Sequence, residues 1–211
     1  MRATALILCG GRATRMGGVD KPLQPFQGRP LVAHVLERLA PQTDGRVLIS
    51  ANRHLDDYRR LGHPVLTDPL PDFPGPLAGV LAGLNALATR PRGGEDPGDG
   101  DWLLVASGDS PWLPADLLAR LASGLAPGQS AAMALGREAP GEPLRSQPLA
   151  SLVHARHRDA LEAALRAGER RVERWLDTLP LARVAFDRPG DDTAFANIND
   201  RSELERLERL R

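Results

Sequence analysis

Runs of apolar residues alternate along this chain with amphipathic stretches. Ala3 to Leu8 is an apolar run, broken only by Thr4, and reads as a buried strand. Pro30 to Ala40 places Leu31, Val35, Leu36 and Leu39 on one helical face, with Pro30 suited to a helix start. The same reading gives a strand over Arg46 to Ala51, a short helix over His54 to Leu61 and a third strand over Pro64 to Thr67. After the rigid, proline-rich stretch Asp68 to Pro76 comes Leu77 to Ala88, a helix of small residues suited to close packing. Arg90 to Gly100 reads as a mobile polar loop. Beyond it lie a very apolar strand, Trp102 to Ala106, a helix over Pro114 to Gly124 and a strand over Ser130 to Leu135. Gly136 to Pro148 reads as a second polar loop and Leu149 to Val153 as a strand. Helices over Ala155 to Ala167 and Arg170 to Leu179, a strand over Leu181 to Phe186 and a terminal helix over Ser202 to Leu210 complete the pattern.

Strand–helix alternation in the first half predicts an α/β protein. Its sheet is doubly wound and mostly parallel, with right-handed crossovers and helices on both faces. In such a sheet ligands sit beyond the carboxyl ends of the strands. Four polar points fall at those ends: Gly10-Gly11, Ser50 with Asn52, Asp68 and Asp109.

The stretch Leu8 to Lys21, Leu-Cys-Gly-Gly-Arg-Ala-Thr-Arg-Met-Gly-Gly-Val-Asp-Lys, occupies the first of those ends. Glycines and basic residues between a strand and a helix suit phosphate capture: backbone N–H groups approach the oxyanions and the cations neutralise them. Neither the dinucleotide-binding G-x-G-x-x-G nor the P-loop spacing is present.

Composition sharpens this picture. Among 27 basic residues only Lys21 is a lysine, and it falls in this stretch. An ammonium is a compact point charge, not interchangeable with a planar guanidinium. The alternative is a solvated surface lysine. The 211 residues are 42% hydrophobic with no net charge. They suit one globular α/β domain over 1–211 with a sizeable core, divisible into halves 1–125 and 126–211. No polybasic field favours nucleic acid or a membrane surface, and no apolar run is long enough to span a bilayer. A single cysteine, Cys9, and an N-terminus without a signal-peptide layout point to the cytoplasm.

The candidate chemistry is phosphoryl transfer. A carboxylate beside a phosphate-binding loop is repulsive unless a cation intervenes, so Asp109 reads as a Mg²⁺ ligand; the alternative is a cap on the following turn. Asp68 is a candidate acceptor for a base or ribose, or else an Asx-type turn before Pro69. Arg15 and Lys21 would hold a triphosphate and stabilise charge developing at phosphorus, with Arg12 a possible third cation. Asp20 reads as orienting the loop. Pro22 should restrict Lys21 to extended backbone. His154 and His157 lie three apart without a third metal ligand nearby in sequence. Cys9 is either a nucleophile or a small loop residue. No residue stands out as a general base. That suits an acceptor that is itself a phosphate monoester, already ionised at neutral pH.

These residues resemble the glycine-rich signature of the molybdenum cofactor guanylyltransferases. Ala51-Asn52-Arg53-His54, Asp72 to Gly79, Gly108-Asp109-Ser110-Pro111, Gly168 to Val172 and Ala194 to Asn199 are similar to further stretches of that family, in the same order. The resemblance implies a three-layer, nucleotide-diphospho-sugar transferase-like fold. It implies Mg²⁺-dependent transfer of GMP from GTP to the terminal phosphate of Mo-molybdopterin, releasing pyrophosphate. Molybdoenzyme apoproteins or their chaperones are the further partners it implies. Carried over by position, Leu8, Cys9, Gly10 and Gly11 contact the guanine nucleotide, Lys21 its phosphates, Asp68 the nucleoside and Asp109 the Mg²⁺. Asn197 and Asn199 face the pterin. Ser50 stands where the family pattern has an asparagine, and Asn52 is positioned to compensate. Two other functions compete: a cytidylyltransferase of the same fold acting on molybdopterin or a sugar or alditol phosphate, and a non-catalytic nucleotide-binding module for cofactor insertion.

Overall fold

The computed structural model describes residues 1–9, 20–69, 75–89 and 101–196. Among them, seven strands form one sheet in the order β5-β4-β1-β6-β8-β7-β9. Its parallel half consists of β1 (Ala3–Leu8), β4 (Val47–Ser50), β5 (Val65–Leu66) and β6 (Trp102–Ser107). Its other half consists of β7 (Ala131–Gly136), β8 (Arg145–His154) and β9 (Leu181–Ala185). There β8 runs antiparallel to both neighbours, while β7 and β9 are parallel.

Alternation along β1 explains the layers. Ala5 and Ile7 join one core, with α1 (Leu31–Leu39), Tyr58 of α2 (Leu55–Arg59) and Leu117 and Leu121 of α4 (Leu117–Ser123). Leu6 joins the opposite core, with α3 (Pro76–Ala88), Leu161 and Leu165 of α5 (Arg158–Arg166) and Trp175 of α6 (Val172–Leu176). Side chains of a strand point alternately to its two faces, so a strand with apolar residues on both faces needs helices on both sides. The small-residue character of α3 has the expected consequence. A Cβ on Gly79 would come within 2.6 Å of Ser50 Oγ, and one on Gly83 within 2.9 Å of Leu6 and Leu103. The helix thus rides close over β1, β4 and β6.

Three features depart from the sequence expectations. The strand expected over Leu149 to Val153 begins at Arg145. Ser146 and Gln147 pair with Leu135 and Ala134, but Ala150 pairs with Ala106, and the register shifts between Met133 and Ala134. Pro148 lies in this irregularity, where it costs no ladder hydrogen bond. A hairpin of β2 (Pro25–Phe26) and β3 (Arg29–Pro30) was not anticipated; it turns on Gln27 and Gly28, with φ of 48° and 77°. Lys21, expected in extended backbone, opens a 3₁₀ turn over Lys21–Leu23, and the extended residue is Asp20 with ψ of 106°. Bonds from Leu23 N to Asp20 O (3.1 Å) and Gln24 N to Lys21 O (3.0 Å), with Pro22 buried, hold the turn despite the proline. The expected loop 90–100 and helix 202–210 lie outside the described residues.

Candidate active site

The four parallel strands end at one edge of the sheet, and backbone bonds stitch those ends together. Cys9 N donates to Ser50 O at 2.8 Å, Ala51 N to Leu66 O at 2.9 Å and Gly108 N to Leu8 O at 3.0 Å. This brings Leu8, Cys9, Ser50, Asn52, Asp68 and Asp109 to one edge, as parallel topology requires. Gly10, Gly11, Arg12, Arg15, Asn197 and Asn199 lie outside the described residues.

Lys21 reaches this edge from the 3₁₀ turn. Its Nζ lies 2.7 Å from Asp109 Oδ2, with the side chains only 23% and 19% exposed. Ser107 Oγ donates to the other oxygen, Asp109 Oδ1, at 2.6 Å. One carboxylate is thus oriented by a hydroxyl and neutralised by an ammonium. The arrangement fits a Mg²⁺ site of the kind that uses one or two carboxylates plus substrate phosphates and waters. It does not fit an all-protein cage: no group of three or more His, Cys, Asp or Glu converges among the described residues.

On the β4–β5 side, Asn52 and Asp68 form a reciprocal pair. Asn52 Nδ2 donates to Asp68 Oδ2 at 2.7 Å and Asp68 N donates to Asn52 Oδ1 at 2.9 Å. Burial pushes the Asp68 carboxyl up from its ordinary range, and the Asn52 hydrogen bond pulls it back. Asn52 therefore orients Asp68, while Ser50, buried beneath Gly79, shapes the floor.

Cys9 is fully buried at the exit of β1, and burial, then the nearby Asp20, pushes its thiol well above the usual value. It is a small packing residue, since a protonated buried thiol is a poor nucleophile. His154 and His157 lie at the opposite edge of the sheet. His154 Nδ1 accepts from Arg156 N at 3.0 Å, and His157 Nε2 meets Ser130 Oγ at 2.7 Å. Both are structural.

Part of the family-like stretch Gly168 to Val172, given no role in the sequence analysis, lines a basic pocket. A cavity of about 530 Å³ is lined by Pro76, Pro148, Leu149, Arg170, Arg171, Val172, Glu173, Arg174 and Asp177. Because Ala150 pairs with Ala106, Leu149 and Pro148 extend to the same edge as Ser107 and Asp109. Glu169 Oε1 accepts from Arg170 N and Arg171 N, both at 2.9 Å, and its Oε2 lies 3.1 Å from Arg174 Nε. These backbone bonds, more than the arginine charges, hold the Glu169 carboxyl below its ordinary range. Three arginines within five residues are a visible signal, but only the β8 irregularity supplies the opposing wall.

Known proteins are similar to this chain over nearly its whole length. The model of the MobA-like NTP transferase domain matches residues 5–184. A molybdenum cofactor guanylyltransferase of Ralstonia nicotianae is 46% identical over 208 residues, covering 97% of this chain and 95% of its own. One of Cupriavidus taiwanensis is 45% identical over 202 residues, covering 95% and 94%. The structure of molybdopterin-guanine dinucleotide biosynthesis protein A from Archaeoglobus fulgidus superposes with a TM-score of 0.73 at 23% identity, over 98% of this chain and 97% of that one. The last likeness speaks to the fold. The family model and the two relatives, each covering most of the chain, show that this chain belongs to the molybdenum cofactor guanylyltransferase family.

Proposed function

We propose that this protein transfers GMP from GTP to the terminal phosphate of Mo-molybdopterin, forming the guanine dinucleotide cofactor and pyrophosphate. The observation that carries the proposal is the Lys21–Asp109 pair, 2.7 Å apart at the carboxyl edge, in a chain whose relatives bear that activity's name. Leu8, Cys9, Ser50, Asn52 and Asp68, with Gly10 and Gly11, form the proposed nucleoside pocket. Lys21 and Arg15 face the phosphates.

An oxygen of the acceptor phosphate attacks the α-phosphorus of GTP. The bond from that phosphorus to the α,β-bridging oxygen breaks, and pyrophosphate leaves with the electron pair. A phosphate monoester is largely ionised at neutral pH, so no side chain need remove a proton. What this chain's residues supply is placement and positive charge where negative charge develops. Mg²⁺, when bound, supplies further neutralisation of the phosphate oxygens, and Asp109 is the carboxylate that would hold it.

The strand order supports a division of labour. Strands β5, β4, β1 and β6 build the nucleotide half (1–125), and β8, β7 and β9 build the acceptor half (126–211). The arginine-lined cavity, walled mostly by acceptor-half residues with Pro76, suits an anionic acceptor, and the family resemblance assigns Asn197 and Asn199 to the pterin. No helix among the described residues is long and apolar enough to cross a membrane. A cytoplasmic setting, with molybdoenzyme apoproteins or their chaperones as receivers of the product, completes the proposal.

The test is pyrophosphate release with Mo-molybdopterin, Mg²⁺ and either GTP or CTP. Turnover with GTP in clear preference is expected; preference for CTP overturns the guanine assignment.

A further inference from the structure

Tyr58, on α2, is fully buried, and its hydroxyl donates to Asp20 Oδ1 at 2.9 Å. The same hydroxyl lies within hydrogen-bonding reach of the Cys9 thiol. Cys9 directly follows β1 and Asp20 directly precedes Lys21, and one phenol reaches both. Cys9 is tied to β4 through Ser50 O, and Asp20 O accepts from Leu23 N to start the turn that carries Lys21.

The pair is costly as packing alone. A carboxylate at 6% exposure and a phenol at 0% each lose water, and the hydrogen bond between them only partly offsets that loss. Burial, then the neighbouring Cys9 and Asp20, pushes the phenol far above its usual value, so it remains a donor. Phenylalanine would fill the same space without desolvating a hydroxyl, but would leave the buried Asp20 carboxylate without this donor.

We propose that Tyr58 is a positioning residue for the triphosphate: by fixing Asp20 it sets the adjoining Lys21 ammonium against Asp109. The inference rests on the proposed GTP reading of the site and adds to it a residue from outside the glycine-rich signature.

The test is calorimetric titration of the full-length protein and its variants with GTP and with GMP, each with Mg²⁺. Tyr58→Phe keeps the ring and removes the hydroxyl. GTP affinity is expected to fall about ten-fold, the scale of one hydrogen bond to a charged group, with GMP affinity within about two-fold of wild type. Asp20→Asn removes the buried charge, so it keeps the question answerable if the first variant folds poorly. Adding Tyr58→Phe to Asp20→Asn should weaken GTP binding by less than about two-fold more, because the hydroxyl acts through the carboxylate. Parallel weakening of GTP and GMP, or additive losses in the double variant, would mark Tyr58 as a packing residue and overturn the inference. A wild-type protein with no preference for GTP over GMP would overturn the reading of the site, and the inference with it.

Discussion

Asp109 and Lys21 meet through one short charge-assisted contact, yet their chemistries differ enough to be separated. Asp109→Ala is expected to lower Mg²⁺-dependent pyrophosphate release about a hundred-fold or more, the scale for losing one such group at a charge-developing centre. Its circular dichroism should match wild type, because Asp109 lies beyond the end of β6 and outside both cores. Undiminished release would remove Asp109 from the mechanism. Lys21→Arg keeps the charge but replaces a rotatable ammonium with a wide planar fork; a fall in turnover of about ten-fold is expected in the same assay. Gly79→Ala tests the floor. Its Cβ would stand 2.6 Å from Ser50 Oγ and 2.7 Å from Leu8 Cδ2, so a side chain has to leave its rotamer or α3 has to lift. A loss of about 1–3 kcal/mol in chemical denaturation is expected, along with weaker GTP binding.

Elements carry function here by where they end. β1 and β6 put Cys9 and Asp109 at neighbouring positions, and β8 returns antiparallel so that Pro148 reaches the same edge. The opposite edge has its own chemistry. His157, beside Ser130, is held down to about 4 from 6.5, chiefly by burial and then by Arg156. The unfolded chain therefore takes up a proton first as pH falls, and stability is lost through the window from about 6.5 to about 4. His157→Gln should flatten that part of the melting-temperature profile; an unchanged slope would show that other groups cause it. A second anchor lies near the C-terminal half. Arg120 Nη1 meets Asp191 Oδ2 at 2.8 Å, its guanidinium stacks 3.8 Å over the Phe186 ring, and both charged side chains are about nine-tenths buried. Asp191→Ala strands that buried cation and is expected to cost about 3–5 kcal/mol in denaturant unfolding.

On the proposed reading, ligands bind across the junction of two strand sets, so occupancy should register as global stability. Any ligand that binds only the folded state stabilises it by mass action, about 2.7 kcal/mol at a hundred times Kd. GTP with Mg²⁺ is expected to raise the melting temperature, CTP with Mg²⁺ to do so much less, and Asp109→Ala to lose the Mg²⁺-dependent part of the rise. Equal shifts with both nucleotides would argue against a guanine-specific pocket.

Periodicity in the chain determined the parallel half of the sheet, the helices on both its faces and the edge where polar residues gather. The apolar pattern records each element's own period and which of its faces are covered, although the pairing of β1 with the distant β6 is itself tertiary. Asp109 was legible because it stands just past an unmistakable strand, and Lys21 because it is the one lysine and falls in the glycine-rich stretch. Tertiary structure alone decided what those residues do to one another. Asp20 finds Tyr58 across 38 residues and Asn52 finds Asp68 across 16. The basic pocket needs an irregular strand whose polar residues and proline hide its pairing. A side chain's partner across such distances is set by how whole layers pack, and no local pattern encodes it.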